Sequence, residues 1–375
     1  MVKFRKKESY HFGNSHKTVD GVVAMEHPGL ELEKRINACG MSRKELALRT
    51  GVTEKHISTV INGDRGISAN FARKLGYVFP KAEDWLKLQN AYDQEQLCIK
   101  DEENITEDEI KILEPLREIT EYFIEQGYMH NHCGDITKIM QLRELLNISD
   151  LTSIPKITYN AAYRAQLSKN VRVNPYVLFA WQRLCEKKTE RIAIQEDLDK
   201  EKLKANLPDI KAMMFDKINN SIQVLQEYLA RCGIAFQVVK NFRGAPVQGF
   251  IKQDENHRLI LCLTIRRKRA DTFWFTLFHE IAHILYGDYS VRFVDFDSVP
   301  GEQEERANQF ARDTLIAPKP YRKFVHSGNY ENWAAIEKFA EEMKVEPFIV
   351  LGRLQSDQLL DWRMYSKKIK KYEWA

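Results

Sequence analysis

Residues 272–285 read Thr-Phe-Trp-Phe-Thr-Leu-Phe-His-Glu-Ile-Ala-His-Ile-Leu, and the centre of that run can do chemistry. On a helix, positions i and i+4 share a face one turn apart, so His279 and His283 can offer two imidazoles to one metal ion. Glu280 follows the first of them and can reach a water held on that metal. Zinc lowers the pKa of such a water, and a carboxylate can then remove its proton to leave a hydroxide suited to attack on a carbonyl.

The elements around the motif must position it. The stretch from Asp271 to Tyr286 has neither Pro nor Gly and is strongly apolar, which predicts a largely buried helix. Three β-prone runs, 234–239, 248–252 and 258–265, are expected to form a small antiparallel sheet against it. A catalytic zinc needs three protein ligands and one open position. The third is sought in 302–318, where Ala307, Phe310, Ala311, Leu315 and Ile316 repeat at helical spacing between Pro300-Gly301 and Pro318. Glu304 lies on the same stripe as Ala307, while Glu302 and Glu305 are rotated toward solvent. Glu304 is therefore the expected third ligand, with a solvated helix charge as the other reading. Asn308, one turn on, is placed to orient a ligand histidine. Tyr286, Tyr289, Tyr321, His326 and Arg353 are unranked candidates for a donor to a tetrahedral oxyanion. The run Arg-Arg-Lys-Arg (266–269) is either a basic rim facing an acidic substrate or a solvated loop.

From about Ile210 onward the chain resembles the ImmA/IrrE family of zinc metallopeptidases, which are thermolysin-like around the metal. The resemblance rests on Asp-Thr-Phe-Trp-Phe-Thr-Leu-Phe-His-Glu-Ile-Ala-His, Glu-Glu-Arg-Ala-Asn-Gln-Phe-Ala, Leu-Ile-Ala-Pro and Pro-Phe-Ile-Val-Leu-Gly-Arg-Leu-Gln. It implies His279, His283 and Glu304 as zinc ligands and Glu280 as general base. It also implies cleavage of a repressor in a bacterial or phage setting. Glu346 departs from the pattern, standing where many members have a small residue or histidine.

The second informative region is 29–97, a series of short amphipathic segments. Ser42 opens one of them with Glu45 three residues later, the pattern of a capping box. Gly51-Val52-Thr53 makes a tight turn into Glu54–Asn62. Two helices joined through a glycine turn form a helix-turn-helix, whose second helix enters the DNA major groove. Ile57, Val60 and Ile61 pack inward, which leaves Thr53, Glu54, Lys55, His56 and Thr59 facing out toward base edges and phosphates. Arg43, Lys44, Asn62 and Arg65 flank this reader and suit phosphate contacts. A small helical bundle with an ordinary solvated face is the plainer reading. His-Pro-Gly (27–29), Ser-Arg-Lys-Glu-Leu-Ala, Asn-Gly-Asp-Arg-Gly-Ile-Ser and Trp-Leu-Lys-Leu-Gln-Asn-Ala-Tyr-Asp resemble Xre-type domains, and more narrowly HigA-type antitoxins. That resemblance implies a homodimer on operator DNA and a toxin partner.

Composition fits a regulator with several domains. The chain has 375 residues and a net charge of only +4, so no strong polyanion field surrounds it. The first 97 residues hold 16 Lys/Arg against 12 Asp/Glu, which puts the mild basic excess on the DNA-binding part. Six cysteines are scattered without a CxxC and read as buried or free thiols of a reducing cytosol. No run has transmembrane length and no signal peptide is evident, so a cytoplasmic protein with no membrane association is expected. No P-loop, no GxSxG and no GxGxxG after a strand competes with the HExxH motif.

The expected architecture is mainly α with a small α+β peptidase domain. Residues 1–25 form a flexible arm, 26–98 the helix-turn-helix domain, 104–207 a helical middle region in which Arg164, Arg172 and Arg183 are either exposed helix charge or contacts for an acidic partner, and 208–375 the zinc peptidase domain. The expected function is a repressor or antitoxin carrying a zinc-dependent endopeptidase that cleaves itself, a repressor or a toxin. The alternative is a non-catalytic antitoxin whose zinc fold binds a toxin or senses a signal.

Overall fold

The computed structural model describes residues 26–80, 84–131, 134–158, 173–194, 196–254, 257–289, 293–296 and 301–372. The expected N-terminal arm, Pro300, Arg164 and Arg172 lie outside them. The chain separates into two compact units, one of Met1–Glu107 with Cys133–Met140 and the other of Asp108–His132 with Gln141–Ala375.

The first unit holds α1 (Pro28–Ala38), α2 (Arg43–Thr50), α3 (Glu54–Ile61), α4 (Ala69–Val78) and α5 (Trp85–Glu103). All five starts carry a side-chain cap, three of them from a Ser or Thr hydroxyl. Ser42 Oγ accepts from the Glu45 N–H at 3.1 Å, Thr53 Oγ1 from His56 at 3.1 Å and Ser68 Oγ from Phe71 at 3.3 Å. The capping box is half formed, because the Glu45 carboxylate turns to Arg49 at 2.6 Å instead of back to its cap. Gly51 ends α2 at φ 62°, a left-handed turn that a residue with a Cβ adopts only under strain. Leu32, Leu46, Ile57, Val60, Phe71 and Leu75 close the core at zero to 2 % exposure. Helix α5 runs without interruption to Glu103. From Trp85 to Glu103 the sequence offers no Gly or Pro to stop it.

The second unit begins with helices, among them α6 (Glu107–Glu125, which starts at the boundary), α7 (Asp135–Leu146, shared across it) and α8 (Pro175–Thr189). Arg183 of α8 pairs with Glu186, which also binds Lys252. Helix α9 (Ile218–Ala230) then leads to β1 (Ile234–Val238), β2 (Val247–Gln253) and β3 (Leu259–Leu263). The sheet is mixed, which corrects the antiparallel expectation. Its order is β1-β3-β2 with a fourth strand, β4 (Phe293–Phe296), beyond β2. β2 pairs antiparallel with β3 and β4, but β1 pairs in parallel with β3, Phe236 opposite Leu261. The physical reason lies in β3. Its five residues, Leu-Ile-Leu-Cys-Leu, are all buried, so it takes the centre between β1 and β2.

The sheet packs on α10 (Ala270–Tyr286), whose Phe273, Trp274, Leu277, Phe278 and Ile281 join Phe236, Ile251 and Leu261 in one core. α10 ends at Gly287, in the left-handed region at φ 85°. α11 (Glu302–Leu315) lies against it, followed by α12 (Pro318–His326), α13 (Trp333–Met343) and α14 (Pro347–Ser356). Pro318 therefore opens a helix as well as following one. The C-terminal stretch ties down the start of α10. The Ala270 N–H donates to the Lys370 carbonyl at 3.0 Å, and Trp274 Nε1 donates to the Tyr372 hydroxyl at 2.9 Å.

Candidate metal centre

α10 and α11 bring together the histidines and the glutamate expected to bind metal. Nε2 of His279 lies 3.0 Å from Nε2 of His283. The Glu304 carboxylate divides between them, Oε2 at 3.2 Å from His279 Nε2 and Oε1 at 3.5 Å from His283 Nε2. Among the described residues these three form the group able to hold a metal ion. Four-coordinate zinc with bonds of about 2.0–2.1 Å would set its ligand atoms about 3.3 Å apart, close to the observed separations.

The proton positions make the same demand. His279 Nδ1 lies 3.0 Å from Asn308 Oδ1, and His283 Nδ1 lies 3.3 Å from Asp288 Oδ2. Both oxygens accept, which favours a hydrogen on each Nδ1 and turns each Nε2 inward, toward the other ring and Glu304. Two lone pairs and a carboxylate then face one another, which a cation resolves. Burial works to raise the Glu304 carboxyl, but hydrogen bonding and charge from His279 and His283 outweigh it and hold it down to about 2. The donor set fits zinc or a similar divalent ion.

Glu280 completes the centre. It is fully buried, and neither of its oxygens has a hydrogen-bond partner among the described residues. Burial pushes its carboxyl up, against the pull of His279 and His283 and with the help of Glu304. Leaving a buried carboxylate without donors costs several kcal/mol, so its partner belongs in the space at the metal centre.

Sequence reasoning missed Asp288. It follows the helix-ending Gly287, and its carboxylate takes Arg306 at 3.0–3.1 Å as well as His283. A short carboxylate one turn past the second histidine is the signal that was there to be used. The oxyanion candidates disperse. Tyr321 and Arg353 are joined through Asp357, and His326 bonds the Arg322 carbonyl. Tyr286 lies under Arg306, and Tyr289 lies under Lys200. In the basic run, Arg269 pairs with Asp271 and Gln355, and Arg266 reaches the Pro246 carbonyl.

In the first unit Lys44, Thr53, Glu54, Lys55, Asn62 and Arg65 are exposed. Three others are more tied than expected. Arg43 pairs with Glu33 at 2.7 Å, His56 packs edge-on to Phe71, and the Thr59 hydroxyl donates to the His56 carbonyl. The Thr53 hydroxyl is likewise engaged, as the cap of α3.

Comparison with known proteins agrees with both units. Residues 32–86 match the helix-turn-helix family, and residues 245–355 match the IrrE N-terminal-like domain, a peptidase family. The chain joins an Xre-like DNA-binding domain to an IrrE-like peptidase-family domain. The chain is 41% identical over 73 residues, 19% of its length, to virulence-associated protein A' of Dichelobacter nodosus, and spans 64% of that relative. It is also 31% identical to an addiction module antidote protein of the HigA family from Coxiella burnetii, covering 22% of this chain and 98% of that one, with a TM-score of 0.20. No helix among the described residues is long and apolar enough to cross a membrane.

Proposed function

We propose that this chain is a transcriptional repressor of antitoxin type, acting in the cytoplasm, whose second unit is a zinc endopeptidase that cleaves a regulatory protein: itself, another repressor or a toxin partner. The observation that carries the proposal is the pairing of a two-histidine, one-glutamate cluster with a buried, unpartnered Glu280 on the same helix. His279, His283 and Glu304 would hold the zinc, with Asn308 and Asp288 keeping both Nε2 lone pairs directed at it. When bound, zinc supplies a Lewis acid and a water of lowered pKa. Glu280 would take up a proton at its buried carboxylate beside that centre and release it to the leaving amine, a task suited to a carboxyl whose proton affinity burial has raised. The metal-binding part of this reading is thermolysin-like.

In the first unit, α3 enters the major groove of operator DNA as one half of a homodimer. Lys44, Lys55, Asn62 and Arg65 meet phosphates, with Arg43 once it leaves Glu33. Thr53, Glu54, His56 and Thr59 lie nearest the bases.

Elemental analysis of wild type and His279→Ala is the test. One zinc per chain, lost in the variant, is expected; no metal in wild type after zinc is supplied defeats the proposal. Glu280→Gln then separates an enzyme from a domain that only binds a toxin or senses a signal. It keeps the metal and leaves regulation intact only in the second case.

A further inference from the structure

We infer that Gly249 is a positioning residue for Glu280, one whose lack of a side chain lets the carboxylate lie at the metal centre. The inference rests on the role proposed for Glu280. β2 crosses α10 next to the motif, and Thr276 of α10 donates to the Gln248 side chain at 3.2 Å. At the following residue a Cβ would stand 1.7 Å from Glu280 Oε1, 2.4 Å from Cδ and 2.8 Å from Cγ. No real Cβ tolerates those contacts.

Backbone conformation does not ask for glycine here. Gly249 is absent from the glycines with positive φ, and its strand conformation is open to any L residue. A glycine inside a strand weakens it and marks a close approach by another group. The group is the Glu280 carboxylate. The strand is not free to retreat, since Gly249 is paired with Leu263 on one side and Asp295 on the other, with a register irregularity between Val247 and Gly249 on the β4 side. The clashing atoms all belong to the Glu280 side chain, so it is the carboxylate that must shift. A methyl at position 249 therefore displaces the proton-transferring group while leaving His279, His283 and Glu304 untouched.

Thermal unfolding of four full-length proteins tests this without any substrate: wild type, Gly249→Ala, Glu280→Ala and the double variant. In the presence of Glu280, Gly249→Ala is expected to lower Tm by roughly 2–12 °C, the range for overpacking a chain region of this size. With Ala at 280 the same change is expected to lower it by less than about 1 °C, because the methyl enters space the carboxylate vacated. Equal shifts in the two backgrounds, including none in either, overturn the inference. If Gly249→Ala does not fold, recovery of folding in the double variant supports it and failure to recover defeats it. Zinc content of a folded Gly249→Ala protein is expected to equal that of wild type. Against a cleaved substrate its kcat falls with KM unchanged; a wild-type kcat counts against the assignment. A wild type that cleaves nothing would end the peptidase reading and leave the Tm coupling intact.

Discussion

The two candidate interfaces of this chain are built on opposite terms. The face around α3 is assembled from consecutive residues on a short helix, most of them solvated, each engaged weakly or by its own neighbours. The metal centre is assembled from residues 279 to 308, on two helices, and is buried to the point that Glu280 has zero exposure. A solvated lysine costs nothing to leave unpaired and so says little about a ligand. A buried carboxylate with no donor and two facing imidazole lone pairs are costly, and the cost itself points to a ligand. Function leaves its clearest physical mark where the free protein is least comfortable.

The sharpest way to break that contrast is to remove single groups from the buried centre. Glu280→Gln keeps shape and ligands but cannot take a proton. Cleavage is expected to fall by about 10²–10⁴-fold with zinc content unchanged, as judged by product analysis and elemental analysis of the same preparation. Near-wild-type cleavage would move proton transfer to another group.

Next in size are the groups that aim the ligands. Asp288→Asn weakens the acceptor for His283 Nδ1–H, and zinc affinity is expected to drop about 10–100-fold in a competition titration with a chelator. Arg306→Ala leaves that carboxylate in place and removes a half-exposed partner, so a loss of only a few-fold is expected. If the two variants were equal, Arg306 would be as important to the centre as Asp288.

How much of this was legible follows the same divide. The caps Ser42, Thr53 and Ser68 and the turn at Gly51 act over three or four residues, so the helices of the first unit could be placed from local sequence. The i, i+4 spacing placed His279, Glu280 and His283, and periodicity picked Glu304 over Glu302 and Glu305, which the structure leaves exposed. What was not legible depends on contacts distant in sequence. The parallel pairing of β1 with β3 is decided by which strand is buried on both sides, where the local pattern of the three runs suggested an antiparallel sheet instead. Gly249 looked like an unremarkable strand residue until Glu280, 31 positions away, was set beside it. His56 was assigned to the surface because the packing of Phe71 against it is set by α4, which local pattern does not position.

The DNA face should respond to substitution in small, additive steps. Lys55→Ala removes one exposed cation from α3. Operator affinity is expected to weaken by a similar factor on all sequences, with the slope of log K against log salt reduced by about 1. Arg43→Ala removes a side chain that must first leave Glu33, so its effect is expected to be smaller than that of Lys55→Ala. Fluorescence anisotropy across a salt series measures both. A loss confined to one operator sequence would make Lys55 a base reader instead of a phosphate contact.

The smallest effects test whether the first unit is held by caps or by charges. Ser42 satisfies the Glu45 N–H at the start of α2, and its replacement by Ala is expected to cost about 1 kcal/mol in denaturant unfolding of the first transition. Glu45 and Arg49 form a close ion pair on the next turn, but both side chains are about half exposed, at 44% and 53%. Water and salt screen that pair, so Arg49→Ala is expected to cost no more than about 0.5 kcal/mol, and less as salt is raised. Ser42, Glu45 and Arg49 all belong to the start and body of α2, so the comparison holds helix and core constant. If Arg49→Ala cost more than Ser42→Ala, and salt removed the difference, charge would be the stronger determinant of this helix and the cap a secondary one.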